Sequence, residues 1–330
     1  MFKKLLLLTV VTIFSAATAQ NNYLDFDGID DSVIVPNASN LVANATAVSM
    51  SCKVFPRRIS SGFPDFNGFA GFRNEANFDF YLIQLSSSDV EARFRNSDGI
   101  AFTITYTGLT LNEWTQFFLV YNGSTLKLYA NDVEVGSIPA FGSVPAASLA
   151  PADFQIGVVT YQAFNWYHDG KIDEVSLWDR ELSPSDITAI VADGEVANAS
   201  AETNLKLYYK FDQGIPYGDN LSETTLTDVN ATNGTLLNFA LTGNSSNWGS
   251  DQLALPGYNR DRVALYPNPA TTTISISGLE VATDYRIVDV SGRIVANGIV
   301  SVSGSIDVSK LTSGLYFAII DSNRLKFIVR

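Results

Sequence analysis

From Asn21 to about Gln252 the chain runs in short stretches where apolar and polar residues alternate, the period of a strand with one buried face. "NYLDFDG" sets Leu24 and Phe26 against Tyr23, Asp25 and Asp27. The runs DSVIVP, FDFYLIQLSS, EARFRN, AFTITYTG, WTQFFLVYNG, TLKLYANDVEVGSI, DFQIGVV, KIDEVSLWD and NLKLYYKFDQG also read as strands, bounded by Gly, Asn, Asp and Pro. "YNGSTLKLYANDVEVGSI" predicts paired hairpins with tight turns at Asn122-Gly123 and Asn131-Asp132. One helical signal interrupts the pattern. Ser183 is an N-cap, Pro184 takes the first helical position, Asp186 sits three residues after the cap, and Gly194 closes the turn. Many short strands in one long chain predict an antiparallel β-sandwich.

A polar stretch with Gly and Pro, 249–262, reads as a linker, with its body at 251–262. Strands then restart: VALYPNP, TTISISG, DYRIVDVSG, RIVANGIV, SIDVS, GLYFAIIDS and LKFIVR. Seven short strands over 263–330 fit a small Ig-like sandwich. At the other end, Lys3 and Lys4, the apolar run Leu5 to Phe14 and the small residues up to Ala19 form a signal peptide, 1–19, cleaved near Ala19. No later segment is long and apolar enough for a membrane helix. The expected organisation is therefore a signal peptide (1–19), a β-sandwich domain (20–250), a linker and a C-terminal domain.

Composition narrows the chemistry. The 330 residues carry 34 Asp+Glu against 21 Lys+Arg, a net charge of -13. Such a surface disfavours nucleic acid and anionic membranes and favours cations such as calcium. The single cysteine, Cys52, allows no internal disulfide, and one cysteine with one histidine leaves no zinc site of the usual type. Cys52 reads as a buried apolar residue.

The C-terminal stretch resembles a known family. "LYPNPA" (265–270), "YRIVDVSGRIV" (285–295) and "IDVSKLTSGLYFAII" (306–320), closing on "LKFIVR", are similar to the C-terminal sorting domain of the type IX secretion system of Bacteroidota. Pro267, Asn268, Pro269, Asp289, Gly292, Gly314 and Tyr316 carry the signature. Pro267 and Pro269 stiffen its start, Gly292 and Gly314 permit turns, and one of the sets Leu315/Phe317/Ile319 and Tyr316/Ala318 must face the core. The resemblance implies export by the type IX machinery, then removal of the tail with release or surface anchoring. The preceding region resembles laminin-G-like, concanavalin A-type jelly rolls, through "YLDFDGIDDSVIV", "WTQFFLVYNGSTLKLYANDVEVG", "GKIDEVSLWDRELSPSDI" and "LKLYYKFDQG". That resemblance implies binding of glycans or surface proteins, often with structural calcium.

Three constellations remain. Laminarinase-type glucanases on this fold carry Glu-x-Asp-x-Glu along one strand, but here Lys171 and Val175 flank Asp173 where glutamates are needed. Glycoside hydrolysis is thus the alternative and binding the expectation. A purely structural adhesion module is the third reading. His168 reads as a loop residue before an Asp169-Gly170 turn, not as a general base. Asp25, Asp27, Asp30 and Asp31 crowd one strand end, and Asp173 falls on the face of Val175 and Leu177 if period two holds. Asp27 and Asp173 are expected to lie at neighbouring strand ends, where they either share one calcium or accept backbone hydrogen bonds. Finally, "TYQAFNWYHDG" reads as an aromatic loop. Its Tyr161, Trp166 and Tyr167 either stack on sugar rings or fold back to cap the sandwich.

Overall fold

The structure is a computed structural model. It describes residues 21–251 except 75 and 76, and 264–330 except 278, 280, 281, 303, 321 and 322. The expected signal peptide with its cleavage near Ala19 lies outside the described residues, as does the linker beyond Asp251. The chain forms two compact units, one reaching to Gln252 and one starting at Leu253.

The first unit contains, in order, β1 (Asn22–Asp27), β2 (Ser32–Val35), β3 (Val48–Pro56), β4 (Asn67–Asn74), β5 (Phe78–Gln84), β6 (Asp89–Arg95), β7 (Ala101–Thr107), β8 (Thr115–Tyr121), β9 (Thr125–Ala130), β10 (Val133–Pro139), β11 (Phe154–Ile156), β12 (Val158–Tyr161), β13 (Phe164–Tyr167), β14 (Asp169–Trp178), the helix α1 (Pro184–Asp193), β15 (Leu205–Tyr209), β16 (Thr225–Leu226), β17 (Gly234–Leu237) and β18 (Trp248–Ser250). These strands make two eight-stranded antiparallel sheets. One runs β10-β9-β8-β3-β14-β1-β18, with β15 also on β14. The other runs β16-β17-β2-β11-β4-β5-β6-β7. Between them lies one large core that includes Phe26, Cys52, Phe72, Phe80, Phe94, Phe117, Phe154 and Trp248. Cys52 is fully buried there, as expected of it.

Each sheet also has a covered outer face. Phe117, Leu119 and Tyr121 of β8 enter the main core, while Phe118 and Val120 pack with Trp178, Leu182, Ile187 and Ile190 under α1. Helix α1 has the expected start: the Ser183 side chain accepts from the Asp186 N–H and Asp186 returns a bond to the Ser183 N–H. Gly194 ends it in the left-handed region. On the opposite sheet, Phe78, Phe80 and Leu82 of β5 enter the core, while Tyr81 and Ile83 face outward under Val159 and Trp166. The runs "FFLV" and "FYLI", apolar at every position, are the sequence trace of this two-sided burial.

The second unit contains β19 (Ala264–Tyr266), β20 (Thr273–Ser277), β21 (Thr283–Asp289), β22 (Ile294–Val300), β23 (Ser305–Asp307), β24 (Gly314–Ile320) and β25 (Asn323–Val329). They form a three-stranded sheet, β19-β20-β23, and a four-stranded sheet, β22-β21-β24-β25. Tyr316, Ala318 and Ile320 face the core with Ile274, Ile287, Ile306 and Phe327.

Candidate functional site

The segment expected to be an aromatic loop is a β-hairpin, β12 with β13, laid over the outer face of β4. Its register pairs Tyr161 with Phe164 and Val159 with Trp166. These four side chains share the hairpin face that meets the sheet, since cross-strand partners lie on one side. The backbone passes so close that a Cβ at Gly68 would lie 2.5 Å from the Trp166 carbonyl oxygen, so only glycine fits there. Trp166 is 4% exposed and packs with Tyr81, Ile83 and Val159. It therefore holds the hairpin down and is not free to stack on a ligand. Tyr167 lies on the opposite face of the hairpin, half-buried, its hydroxyl 3.3 Å from the Asn165 amide. The structure thus joins Tyr161 to Trp166, their rings stacked at 5.6 Å, and separates Tyr167 from both.

The aromatic side chains left accessible are different ones. Phe63 is 58% and Phe164 36% exposed, with ring centroids 5.1 Å apart. Phe66 connects Phe63 to Trp166. Next to Tyr161 stands Arg73, its guanidinium 4.3 Å from that ring and 4.9 Å from the Tyr81 ring. Its Nη1 donates to the Tyr81 hydroxyl at 2.6 Å. Arg73 also lines a recess of about 360 Å³ with Asn37, Asn74, Asp153, Gln155 and Thr160. Part of this set is fixed internally: the Asn37 N–H donates to Asp153 Oδ1 at 2.8 Å, and Gln155 and Thr160 bond each other. An aromatic edge and a polar hollow therefore adjoin, joined through Tyr161 and Arg73. The sequence marks "SGFPDFNGFAGF" (61–72) and Trp248 as further aromatic residues but does not pair Phe63 with Phe164, because the two lie far apart along the chain.

The metal expectation is corrected in part. Asp27 faces Asp169 across the β1–β14 pair, four residues before Asp173, a spacing of about 13 Å along a strand. The two carboxylates are not brought together. Asp173 also leaves the core face, because β14 is bulged between Asp173 and Ser176, with Glu174 at φ +50. A bulge inserts one residue and reverses the alternation, so Ile172 and Val175 both enter the core and Asp173 faces away. There Lys53 pairs with it at 2.9 Å. Burial drives the Asp173 carboxyl up to about 6 against the pull of Lys53. Glu174 is pushed up to about 9 by burial and by the Asp173 charge, and the Tyr208 hydroxyl donates to it.

Asp27 instead gathers with Asp30 and Asp31, which place carboxylate oxygens within 4.8 Å of one another, a hard donor set that suits calcium. Burial, with smaller contributions from the Asp27 and Asp30 charges, lifts the Asp31 carboxyl to about 7 although it accepts the Asp27 N–H and the Ser246 hydroxyl. A bound cation would relieve that repulsion, so these residues fit calcium and Asp173 does not belong to the set.

His168 is not a loop residue before a turn. It is fully buried between the edges of Phe26 and Phe69, with Asp169 and Gly170 already in β14. Burial lowers it to about 3, so the imidazole is neutral.

In the second unit the signature residues serve local geometry. Asn268 bonds the Lys326 carbonyl and the Ile328 N–H, tying the Pro267–Pro269 segment to the last strand. Asp289 accepts from the Ser291 hydroxyl and from the Ser291 and Arg293 N–H groups across the turn, which lowers its carboxyl to about 2. Gly292 sits at φ +83, in that turn. Gly314 differs from expectation: it opens β24 with no left-handed backbone, and a Cβ there would make ordinary contact with Tyr316. Tyr316 is buried, and its hydroxyl donates to the Thr312 carbonyl at 2.8 Å. Asp289, Gly314 and Tyr316 border a recess of about 590 Å³ with Arg293 and Lys310.

Residues 27–188 match the family model of the concanavalin A-like lectin/glucanases superfamily, and 264–330 match that of the secretion system C-terminal sorting domain. The chain joins a concanavalin A-like domain to a C-terminal sorting domain. The sorting domain marks it for export to the cell surface or the medium. No curated protein matches the chain. Among solved structures, the concanavalin A-like domain is similar to a SAP-like pentraxin from Limulus polyphemus (12% identity, 53% of this chain and 84% of that one, TM-score 0.41). A Bacteroides ovatus protein described as carbohydrate binding is also similar (15%, 66% and 58%, TM-score 0.48). So is the CBM40 of a Ruminococcus gnavus IT-sialidase solved with α2,3 sialyllactose (12%, 51% and 97%, TM-score 0.41). At such identities and scores these likenesses fix neither a ligand nor a site. Among the described residues, no helix is long and apolar enough to cross a membrane.

Proposed function

We propose that the protein is a non-catalytic carbohydrate-binding protein of the cell surface or medium, exported by the type IX machinery after loss of its signal peptide near Ala19. The binding surface is the edge formed by Phe63, Phe164 and Tyr161 together with the recess around Arg73. One observation carries this reading: two exposed rings 5.1 Å apart stand beside a hollow whose lining is amide, carboxylate and guanidinium. Aromatic faces take the C–H faces of sugars, and planar side chains with paired donors and acceptors take their hydroxyls.

Hydrolysis is the weaker reading. Asp173 and Glu174 have carboxyls pushed apart in acidity, as an acid/base pair requires. They are 2% and 4% exposed, however, and Lys53 and Tyr208 already hold them, so substrate has no path to them.

A glycan array with the full chain tests the proposal, with Phe63→Ala/Phe164→Ala as the comparison. Binding of sugars that the double variant loses supports it. A protein ligand alone, or no ligand at this edge, would leave the adhesion reading in its place.

Calcium in this reading is structural, held by Asp27, Asp30 and Asp31. Saturating calcium should then raise thermal stability, by about 2.7 kcal/mol at 100 times Kd, and EDTA should reverse the gain. A melting temperature unmoved by either contradicts it.

A further inference from the structure

Residues 21–252 hold 28 acidic and 11 basic side chains. In so acidic a unit every cation is expected to find a carboxylate, and ten of the eleven do. Among the described residues of this unit, Arg73 alone has no carboxylate at ion-pair distance, although Asp79, its partner across the β4–β5 pair, feels its charge. It is half-buried, and aromatic rings take the place of a counter-ion: Tyr161, Tyr81 and Trp166 lie 4.3, 4.9 and 5.4 Å from the guanidinium. Cation–π contact and the more distant Asp79 carboxylate, itself paired with Arg95, tolerate the charge without occupying the guanidinium directly. Its Nε is buried with no hydrogen-bond partner. The recess beside it is lined by the neutral polar groups of Asn37, Asn74, Gln155 and Thr160, which can take hydroxyls. A guanidinium with no carboxylate in direct contact, at the wall of such a hollow, suits an incoming carboxylate or sulfate.

Building on the glycan-binding reading above, we infer that the ligand is an acidic glycan, whose carboxylate or sulfate docks on Arg73 while a neighbouring ring lies on the Tyr161/Phe164 edge. Asp153 is the one acidic group in the lining and works against this ligand. Its Oδ1 is taken by the Asn37 N–H, and the residue is exposed. Its charge sets a sign that separates acidic from neutral ligands. An anion binds more tightly once that charge is removed, whereas a neutral sugar loses a hydrogen-bond acceptor.

The test is titration of the full chain with a paired panel: oligogalacturonate, oligomannuronate, sialyllactose and a sulfated galactan oligosaccharide, each beside an uncharged counterpart. The expected result is preference for one or more acidic members, weakened by salt, with the carboxylated and sulfated arms telling which acid is read. Arg73→Gln should abolish the preference, at least tenfold, and Arg73→Lys should restore part of it. Asp153→Asn should tighten binding several-fold. Asp153 is exposed and its Oδ1 bonds the Asn37 N–H and not the hairpin, so it remains informative if Arg73→Gln loosens the hairpin. Tryptophan fluorescence together with the melting temperature reports that loosening. Equal binding of charged and neutral members, or weaker binding by Asp153→Asn, overturns the acidic ligand and leaves glycan binding standing. No binding to any member overturns both.

Discussion

The two units solve the same problem, a β-sandwich in an exported protein, with different materials. From 21 to 252 there are 28 acidic and 11 basic residues; from 264 to 330 there are 5 and 6. Every buried polar or charged residue of the described chain belongs to the first unit, among them Asp31, Asp79, Asp173, Glu174 and Asp228. The sorting unit encloses only apolar side chains and one tyrosine, and its polar signature residues, Asn268 and Asp289, work at the surface. The sorting unit thus rests on its apolar core and its turns. The concanavalin A-like unit carries charge inside because its sheets are covered on both faces and strands change partners there. Glu174 occupies the place where β14 leaves β1, after Ile172, and takes up β15, from Val175.

The largest contrast should come from cutting the cores. Phe327→Ala in the sorting unit and Phe154→Ala in the first remove fully buried rings, each costing about 3–5 kcal/mol. The small unit has little stability in reserve, so the first change should unfold it and leave the other melting transition in place. The second should lower one transition without abolishing it. A single shared transition would mean the units are not energetically separate.

Next is pH. Asp31, Asp173 and Glu174 have folded-state acidities raised to about 7, 6 and 9. Their contribution is complete below the ordinary carboxylate range and is lost as pH rises through those values. The first transition should therefore fall steadily between about pH 5 and 9, and Glu174→Gln should flatten its upper part. Asp289 and Asp307 are shifted the opposite way, so the sorting unit should hold steady across that range and weaken only in acid. Parallel pH profiles for the two transitions would contradict the comparison.

The smallest effect is local. Ser183→Ala removes one side of the α1 capping box and should cost about 1 kcal/mol, read as faster amide exchange in α1 with the sorting unit untouched.

Much of this was legible in the chain. The strands, the helix with its Ser183 and Gly194 ends, and the seven-strand tail follow from period-two runs and punctuation. What escaped was set by single residues that break a period. The bulge at Glu174 moves Asp173 off the core face, and no residue pattern in "KIDEVSL" announces it. Trp166 and Tyr167 read as one aromatic loop, either open to a ligand or folded back, but strand alternation sends them to opposite faces, and Gly68, far upstream, is what lets the hairpin settle. The partners Phe63, from the turn before β4, and Arg73, from β4 itself, lie far from the hairpin in the chain, so the site exists only once the fold is made.

Calorimetric titration of the full chain with the tightest array ligand, against Phe63→Ala/Phe164→Ala, addresses the central claim most directly. Both rings are exposed, so the double variant should melt like the parent. The account predicts saturable binding by the parent and at least tenfold weaker binding by the variant, about 1.4 kcal/mol. Unchanged affinity in the variant, or no saturable binding of any glycan by the parent, would contradict it.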